Sequence, residues 1–227
     1  MKISVLVLLI CFSLLAFAQQ QEPCITQHKL KYQFTKDSSI YIRLQQMQLV
    51  LRDKINALSR SDNNALIIPV VFHVIHTGQA VGTGLNISDN QIVSQLEILN
   101  ECFNLRNADT VLIPNWFKMR KANVGIEFCL AKFNENGDST SGITRDSFSN
   151  TSNFDNTVKP ITQWNPDSYL NIWSTDLPTT ILGYATFPNM GAANQDGVVI
   201  DYQLIGRAPA NTFGLAHRAG KTAVHEV

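Results

Sequence analysis

Leu66-Ile67-Ile68-Pro69-Val70-Val71-Phe72-His73-Val74-Ile75-His76 is the stretch on which the fold turns. Its β-branched and apolar residues follow one another without polar alternation, the pattern of a strand buried on both faces of a helix-covered sheet. Pro69 stands near its start, where a strand tolerates proline. His73 and His76 stand three positions apart, an odd offset. On a strand that sends their side chains to opposite faces, so they cannot chelate one ion and both read as structural.

Downstream, Ser88-Asp89-Asn90-Gln91 reads as a capping box, with Ser88 and Gln91 satisfying the orphan amides of a helix start. Ile92, Leu96, Leu99 and Phe103 then recur at helical spacing and form one apolar stripe to cover a sheet. Val124, Ile126, Phe128 and Leu130 alternate with other residues, which predicts a second strand stopped by the turn Asn134-Glu135-Asn136-Gly137. After a polar loop, Tyr169–Trp173, Gly183–Phe187 and Gly197–Asp201 read as third, fourth and fifth strands. A strand, a helix and then several strands predict an α/β layer structure. Helical composition returns after Gly220, in Lys221-Thr222-Ala223-Val224-His225-Glu226-Val227, with no C-terminal cap. So short a helix does not hold alone, and the natural chain is expected to continue.

Upstream, Leu44, Met47, Val50, Leu51, Ile55 and Leu58 recur at helical spacing within the polar stretch 24–64, which reads as one amphipathic helix. The polar cluster 59–64 reads as a linker. Met1-Lys2, the apolar run Ile3–Phe17 and Ala16-Phe17-Ala18 form a signal-peptide pattern, shorter than the about 20 apolar residues of a membrane span. The expected organisation is a signal peptide at 1–18, a leader at 19–64 and one domain at 65–227. The mature protein is expected to be secreted and extracellular, with no membrane association after signal cleavage.

Acidic and basic residues balance at 18 each and are mixed along the chain, so nothing marks a nucleic-acid partner. Of the four cysteines, Cys11 leaves with the signal peptide. Cys24, Cys102 and Cys129 remain, an odd set that fits either a free functional thiol or a partner elsewhere, and no Cys-x-x-Cys pattern. There is no Gly-x-Ser-x-Gly elbow, and Gly82-Thr83-Gly84 precedes no phosphate-binding helix. His28 and His217 stand alone in polar sequence and read as surface residues.

Taken together, Ile68–Ile75, Gly142-Ile143-Thr144-Arg145, Tyr169–Trp173, Leu182-Gly183-Tyr184-Ala185-Thr186-Phe187-Pro188, Asp196–Ile200 and Gly220–Val227 resemble the pappalysin-like (cytophagalysin) zinc metallopeptidases of the metzincin clan. The motifs stand in family order from about residue 66 to the last residue. The resemblance implies a zincin-type N-terminal subdomain, a twisted and mostly parallel sheet with an antiparallel edge strand and backing helices, without its C-terminal subdomain. In that family the final motif continues as H-E-x-x-H-x-x-G-x-x-H. By resemblance His225 is the first zinc ligand and Glu226 the general base that takes a proton from zinc-bound water. Helix geometry suits this, because residues four apart share one face and both imidazoles then reach one metal.

The resemblance further implies that Gly183, Tyr184, Ala185 and Thr186 form an edge strand that pairs with protein or peptide substrates. The alternative is an interior strand with a bulge at Gly183. Cys24 stands where some relatives carry a leader cysteine that blocks the zinc, although Ile25 follows where a small residue is usual. A disulfide from Cys24 to Cys102, to Cys129 or to a cysteine elsewhere is the competing reading. A calcium site is left open. One imidazole cannot hold catalytic zinc, so these 227 residues alone are expected to be inactive. The competing function is an extracellular binding or adhesion module on the same scaffold with a decayed site. A base kept beside His225 speaks for the enzyme.

Overall fold

The computed structural model describes residues 24–57, 66–186, 192–207 and 219–227, with the backbone alone at 54–57. The readings made for the signal peptide at 1–18, the linker at 59–64, Phe187-Pro188, Leu58 and His217 lie outside these residues, as does the side chain of Ile55. Two helices from the expected leader, α1 (Thr26–Lys36) and α2 (Ser39–Ala57), precede β1 (Leu66–His76) and α3 (Asp89–Phe103). Strands β2 (Ile126–Leu130) and β3 (Ile143–Ser147) follow, then the short helices α4 (Phe154–Thr157) and α5 (Lys159–Thr162). The chain continues through β4 (Leu170–Thr175), β5 (Gly183–Thr186), β6 (Gly197–Asp201) and α6 (Lys221–Glu226).

One sheet takes all six strands in the order β2-β1-β4-β6-β5, with β3 also on β1. Every pairing is parallel except that of β5 with β6. A single edge of β1 serves two partners, β2 along Leu66–Val70 and β3 along Phe72–His76. The chain leaves that edge at Ala131, whose N–H donates to the Val70 carbonyl, and rejoins it at Gly142, whose carbonyl accepts from Phe72 N–H. Gly142 has φ +72°, and a Cβ there would lie 2.6 Å from the Ala131 nitrogen, so only glycine closes this return. The sequence reading had β3 as part of a polar loop. Ile-Thr-Arg-Asp-Ser carries one large apolar residue and no alternation, because a short, half-buried edge segment needs neither.

The period of two divides the sheet residues between two cores. Val70, Phe72, Val74, Ile172, Val198 and Ile200 pack with Ile92, Leu96 and Leu99 of α3 and Ala223 of α6. On the opposite face Ile75, Trp173, Tyr184 and Val199 pack with Phe154 and Val158 around α4 and α5. Burial on both faces is what the unbroken apolar run of β1 required.

Two local readings change. The leader is two helices, not one, because Asp37 is extended (φ −143°, ψ 100°) and its carboxylate accepts the Ser39 N–H at 2.9 Å, starting a second helix. Of the expected stripe, Leu44 and Met47 are half-buried while Val50 and Leu51 are exposed. The capping box is half made. Ser88 Oγ accepts the Gln91 N–H at 3.3 Å, but the Gln91 side chain turns inward and donates to the Ile205 carbonyl at 3.0 Å.

Candidate metal centre

Helix α6 starts at Gly220, which adopts a left-handed conformation (φ 62°). A Cβ at Gly220 would lie 2.5 Å from Ile98 Cδ1, so glycine allows the helix start to press against α3. Gln95, fully buried on α3, fixes this start from within: its Nε2 donates to the Gly220 carbonyl at 3.0 Å and its Oε1 accepts the Gly206 N–H at 2.8 Å. One turn later α6 presents His225, exposed, and Glu226, buried.

Gly183 sets how near α6 comes to the sheet. A Cβ on it would meet the Val199 carbonyl at 2.9 Å, Thr222 Cγ2 at 3.2 Å and Glu226 Cγ at 3.5 Å. The glycine marks close helix packing and no bulge: β5 pairs residue for residue with β6 from Gly183 to Thr186. The other edge of β5 faces the leader, where Cys24 forms a parallel bridge with Gly183. The Ala185 N–H donates to Thr26 Oγ1 at 2.9 Å, and that hydroxyl donates to Glu226 Oε2 at 3.0 Å. Thr26 thereby links the strand edge to the carboxylate.

These contacts draw the Cys24 Sγ, a ring nitrogen of His225 and a carboxylate oxygen of Glu226 to within 4.8 Å of one another. They line a cleft of about 400 Å³ together with Thr26, Ala185 and Thr186. Burial pushes the Cys24 thiol above its usual range; hydrogen bonds from Thr26 pull it down, and the Glu226 carboxylate adds to the rise. A thiol and an imidazole are the donors a zinc-type ion selects, so the residues present fit such a metal. Cys24, Cys102 and Cys129 are all free thiols, so neither disulfide weighed for Cys24 with Cys102 or Cys129 is formed.

Of the four edge-strand residues, Gly183 and Ala185 meet the leader through their backbone, and Lys29 of α1 lies over the Tyr184 ring. The Tyr184 side chain crosses to the opposite face, where its hydroxyl donates to Asp155 at 3.1 Å, and Thr186 Oγ1 accepts from Lys159 at 3.3 Å. His73 lies apart from the cluster. It is fully buried, stacked on Trp173 at 5.0 Å, with Nε2 against Asn171 Oδ1 and Nδ1 against Thr144 Oγ1, both at 2.9 Å. Burial lowers its pKa to about 4, with the Asn171 hydrogen bond opposing, so the ring is neutral. His76 accepts the Gly78 N–H at 3.0 Å on the strand's exposed end, and His28 lies exposed on α1. Thr26, Gln95, Asp155 and Lys159 carried no sequence signal, since each acts on a residue far away in the chain.

No protein-family model and no curated protein matches the chain. Solved structures do. Mature mirolysin from Tannerella forsythia in complex with a cleaved peptide is 40% identical, with TM-score 0.65 over 73% of this chain and 62% of that one. Mirolysin in complex with a compound numbered 9 is 39% identical, with TM-score 0.63 over 72% and 62%. A glutamate-to-alanine variant of T. forsythia promirolysin is 34% identical, with TM-score 0.71 over 89% and 66%. The chain thus spans just under two thirds of the length of the structures it matches. Mirolysin is a metallopeptidase, and the likeness identifies a metallopeptidase-like scaffold and points to a metal cofactor.

Proposed function

We propose that this metallopeptidase-like scaffold belongs to a secreted zinc endopeptidase in which His225 is a zinc ligand, Glu226 is the general base and Cys24 keeps the site latent. One observation carries the reading: the thiol, imidazole and carboxylate converge within 4.8 Å at the outer edge of β5. Bound zinc would supply a Lewis acid and an acidified water, the chemistry of peptide-bond hydrolysis.

The residues of the chain account for binding and for latency. The free edge of β5 offers backbone groups to an extended peptide, giving affinity with little side-chain selectivity. The leader fills that lane, with Cys24 bridged to Gly183 and Thr26 on the Ala185 N–H. Thr26 also engages Glu226 Oε2, an oxygen that a base needs free for a proton. The match to promirolysin reaches 89% of this chain against 73% for the mature form, which supports reading residues before β1 as a pro-segment. The Cys24 bridge is parallel, whereas the family resemblance implies a substrate antiparallel to β5, so the leader lies in the reverse sense and does not present its carbonyls as a substrate would.

The test uses the full-length protein. Metal analysis is expected to find one zinc per chain, and Cys24→Ala is expected to show peptidase activity before any leader processing. Glu226→Gln, after processing, is expected to lose a hundredfold to ten-thousandfold, roughly the worth of a general base, while keeping its zinc. A protein without zinc, or a Glu226→Gln variant cutting at the wild-type rate, rejects the reading and leaves a binding module.

A further inference from the structure

Asp155 lies at the start of α4, on the face of the sheet opposite α6, and its two oxygens keep different company. Oδ1 accepts from the Tyr184 hydroxyl at 3.1 Å and pairs with Lys159 Nζ at 3.0 Å. Oδ2 takes the ammonium of Lys29, which belongs to the leader helix α1. The same ammonium sits 3.3 Å from the centre of the Tyr184 ring. One cation is therefore held between a carboxylate and an aromatic face, two attractions that add.

Lys159 keeps this box in shape. It is fully buried, and it donates to the Gln195 carbonyl at 2.9 Å and to Thr186 Oγ1 at 3.3 Å. Oδ1 is thereby committed inward and Oδ2 faces the leader. Burial works against the Asp155 charge, and the two ammonium groups outweigh it, so the carboxyl titrates below its usual range and stays ionised. The box is built from domain residues, and the leader contributes only the cation that fills it.

We propose that when α1 leaves, Asp155 Oδ2 and the Tyr184 ring receive the lysine or arginine side chain of a substrate residue on the amino-terminal side of the cleaved bond. This rests on the peptidase reading. Direction follows from the strand: β5 runs from Gly183, beside Cys24 and Glu226, to Thr186. A substrate antiparallel to it directs its amino-terminal residues toward Thr186. Lys159 touches both Thr186 and Asp155, which puts the box at that end. Lys29 occupies in the latent form the place a basic substrate side chain takes in the active form.

The full-length protein freed of its leader is assayed with peptides that walk one lysine through the positions before the scissile bond. Each is matched by a peptide with norleucine, which keeps the stem and lacks the charge. Lysine at one upstream position is expected to raise kcat/KM about tenfold, through KM, over norleucine. In Asp155→Asn the lysine-to-norleucine ratio, compared within the variant itself, falls to near one. Equal cutting of lysine and norleucine peptides at every upstream position overturns the inference, as does a preference that survives Asp155→Asn. The comparison on the unmutated enzyme decides even if the variant fails to fold. Cleavage of none of the peptides rejects the peptidase reading itself, whereas cleavage without lysine preference rejects only the basic-residue site.

Discussion

At the scale of single residues, the two histidines of β1 show how local sequence assigns a role without showing how it is met. The odd spacing of His73 and His76 excluded a shared ion, and the structure supplies partners the sequence could not name. Asn171 is oriented by its own backbone contacts: its Oδ1 accepts the Trp164 N–H at 2.9 Å and its Nδ2 donates to the Trp164 carbonyl at 2.9 Å. Its oxygen therefore faces His73 Nε2, which carries the proton of the neutral ring, while Nδ1 lies 2.9 Å from Thr144 Oγ1. A histidine whose folded pKa of about 4 lies below the ordinary 6.5 resists a proton that the unfolded chain accepts. Its stabilising contribution is fully present above about pH 6.5 and is lost as pH falls toward 4. The full loss is on the order of 3 kcal/mol. Urea unfolding at a series of pH values is expected to show wild-type stability falling through this window, with His73→Asn less stable at pH 7 but flatter below it. Parallel slopes for the two proteins would sink the assignment.

At the scale of elements, legibility followed the length of the pattern. β1 was read to its bounds because a run of eleven residues, all but His73 and His76 apolar, admits one interpretation, and β6 because Gly197–Asp201 is short, largely apolar and bracketed by turns. β3 and the four-residue helices α4 and α5 were not read, because each is fixed by neighbours that precede or follow it by many residues. The same reason hid half of the site. His225 and Glu226 carry a motif, whereas Gln95, which holds the start of their helix, is one glutamine on an otherwise ordinary amphipathic helix. Gln95→Leu removes both of its buried bonds, to Gly206 N–H and the Gly220 carbonyl, in a space of similar volume. The expected cost is about 2 kcal/mol of unfolding free energy. Chemical denaturation checks it, and a loss below a few tenths would mean that α6 is anchored elsewhere.

At the scale of the whole molecule, the leader and the domain are held by unlike means. The domain has two cores on the faces of one sheet, and α3 contributes Ile92, Leu96, Ile98 and Leu99 to burial. Among the described leader residues, α1 is attached mainly through polar and aromatic contacts, Thr26 with Glu226 and Ala185 and Lys29 with Asp155 and Tyr184, with Ile25 before it packed against the second core. Beyond them α2 buries Ile40 and exposes Tyr41, Ile42, Leu49, Val50 and Leu51. A helix with so little apolar area against the domain opens without unfolding anything else, so its amides exchange through local opening, whereas those of α3 wait for the sheet to come apart. Hydrogen–deuterium exchange is expected to show α2 exchanging at least about a hundredfold faster than α3, with residues 24–29 in between. That order fits a segment held firmly at residues 24–29 and loosely along α2. Protection of α2 equal to that of α3 would mean that its exposed apolar residues are covered in solution, and α1 and α2 would then form one packed unit with the sheet and not a loosely held segment.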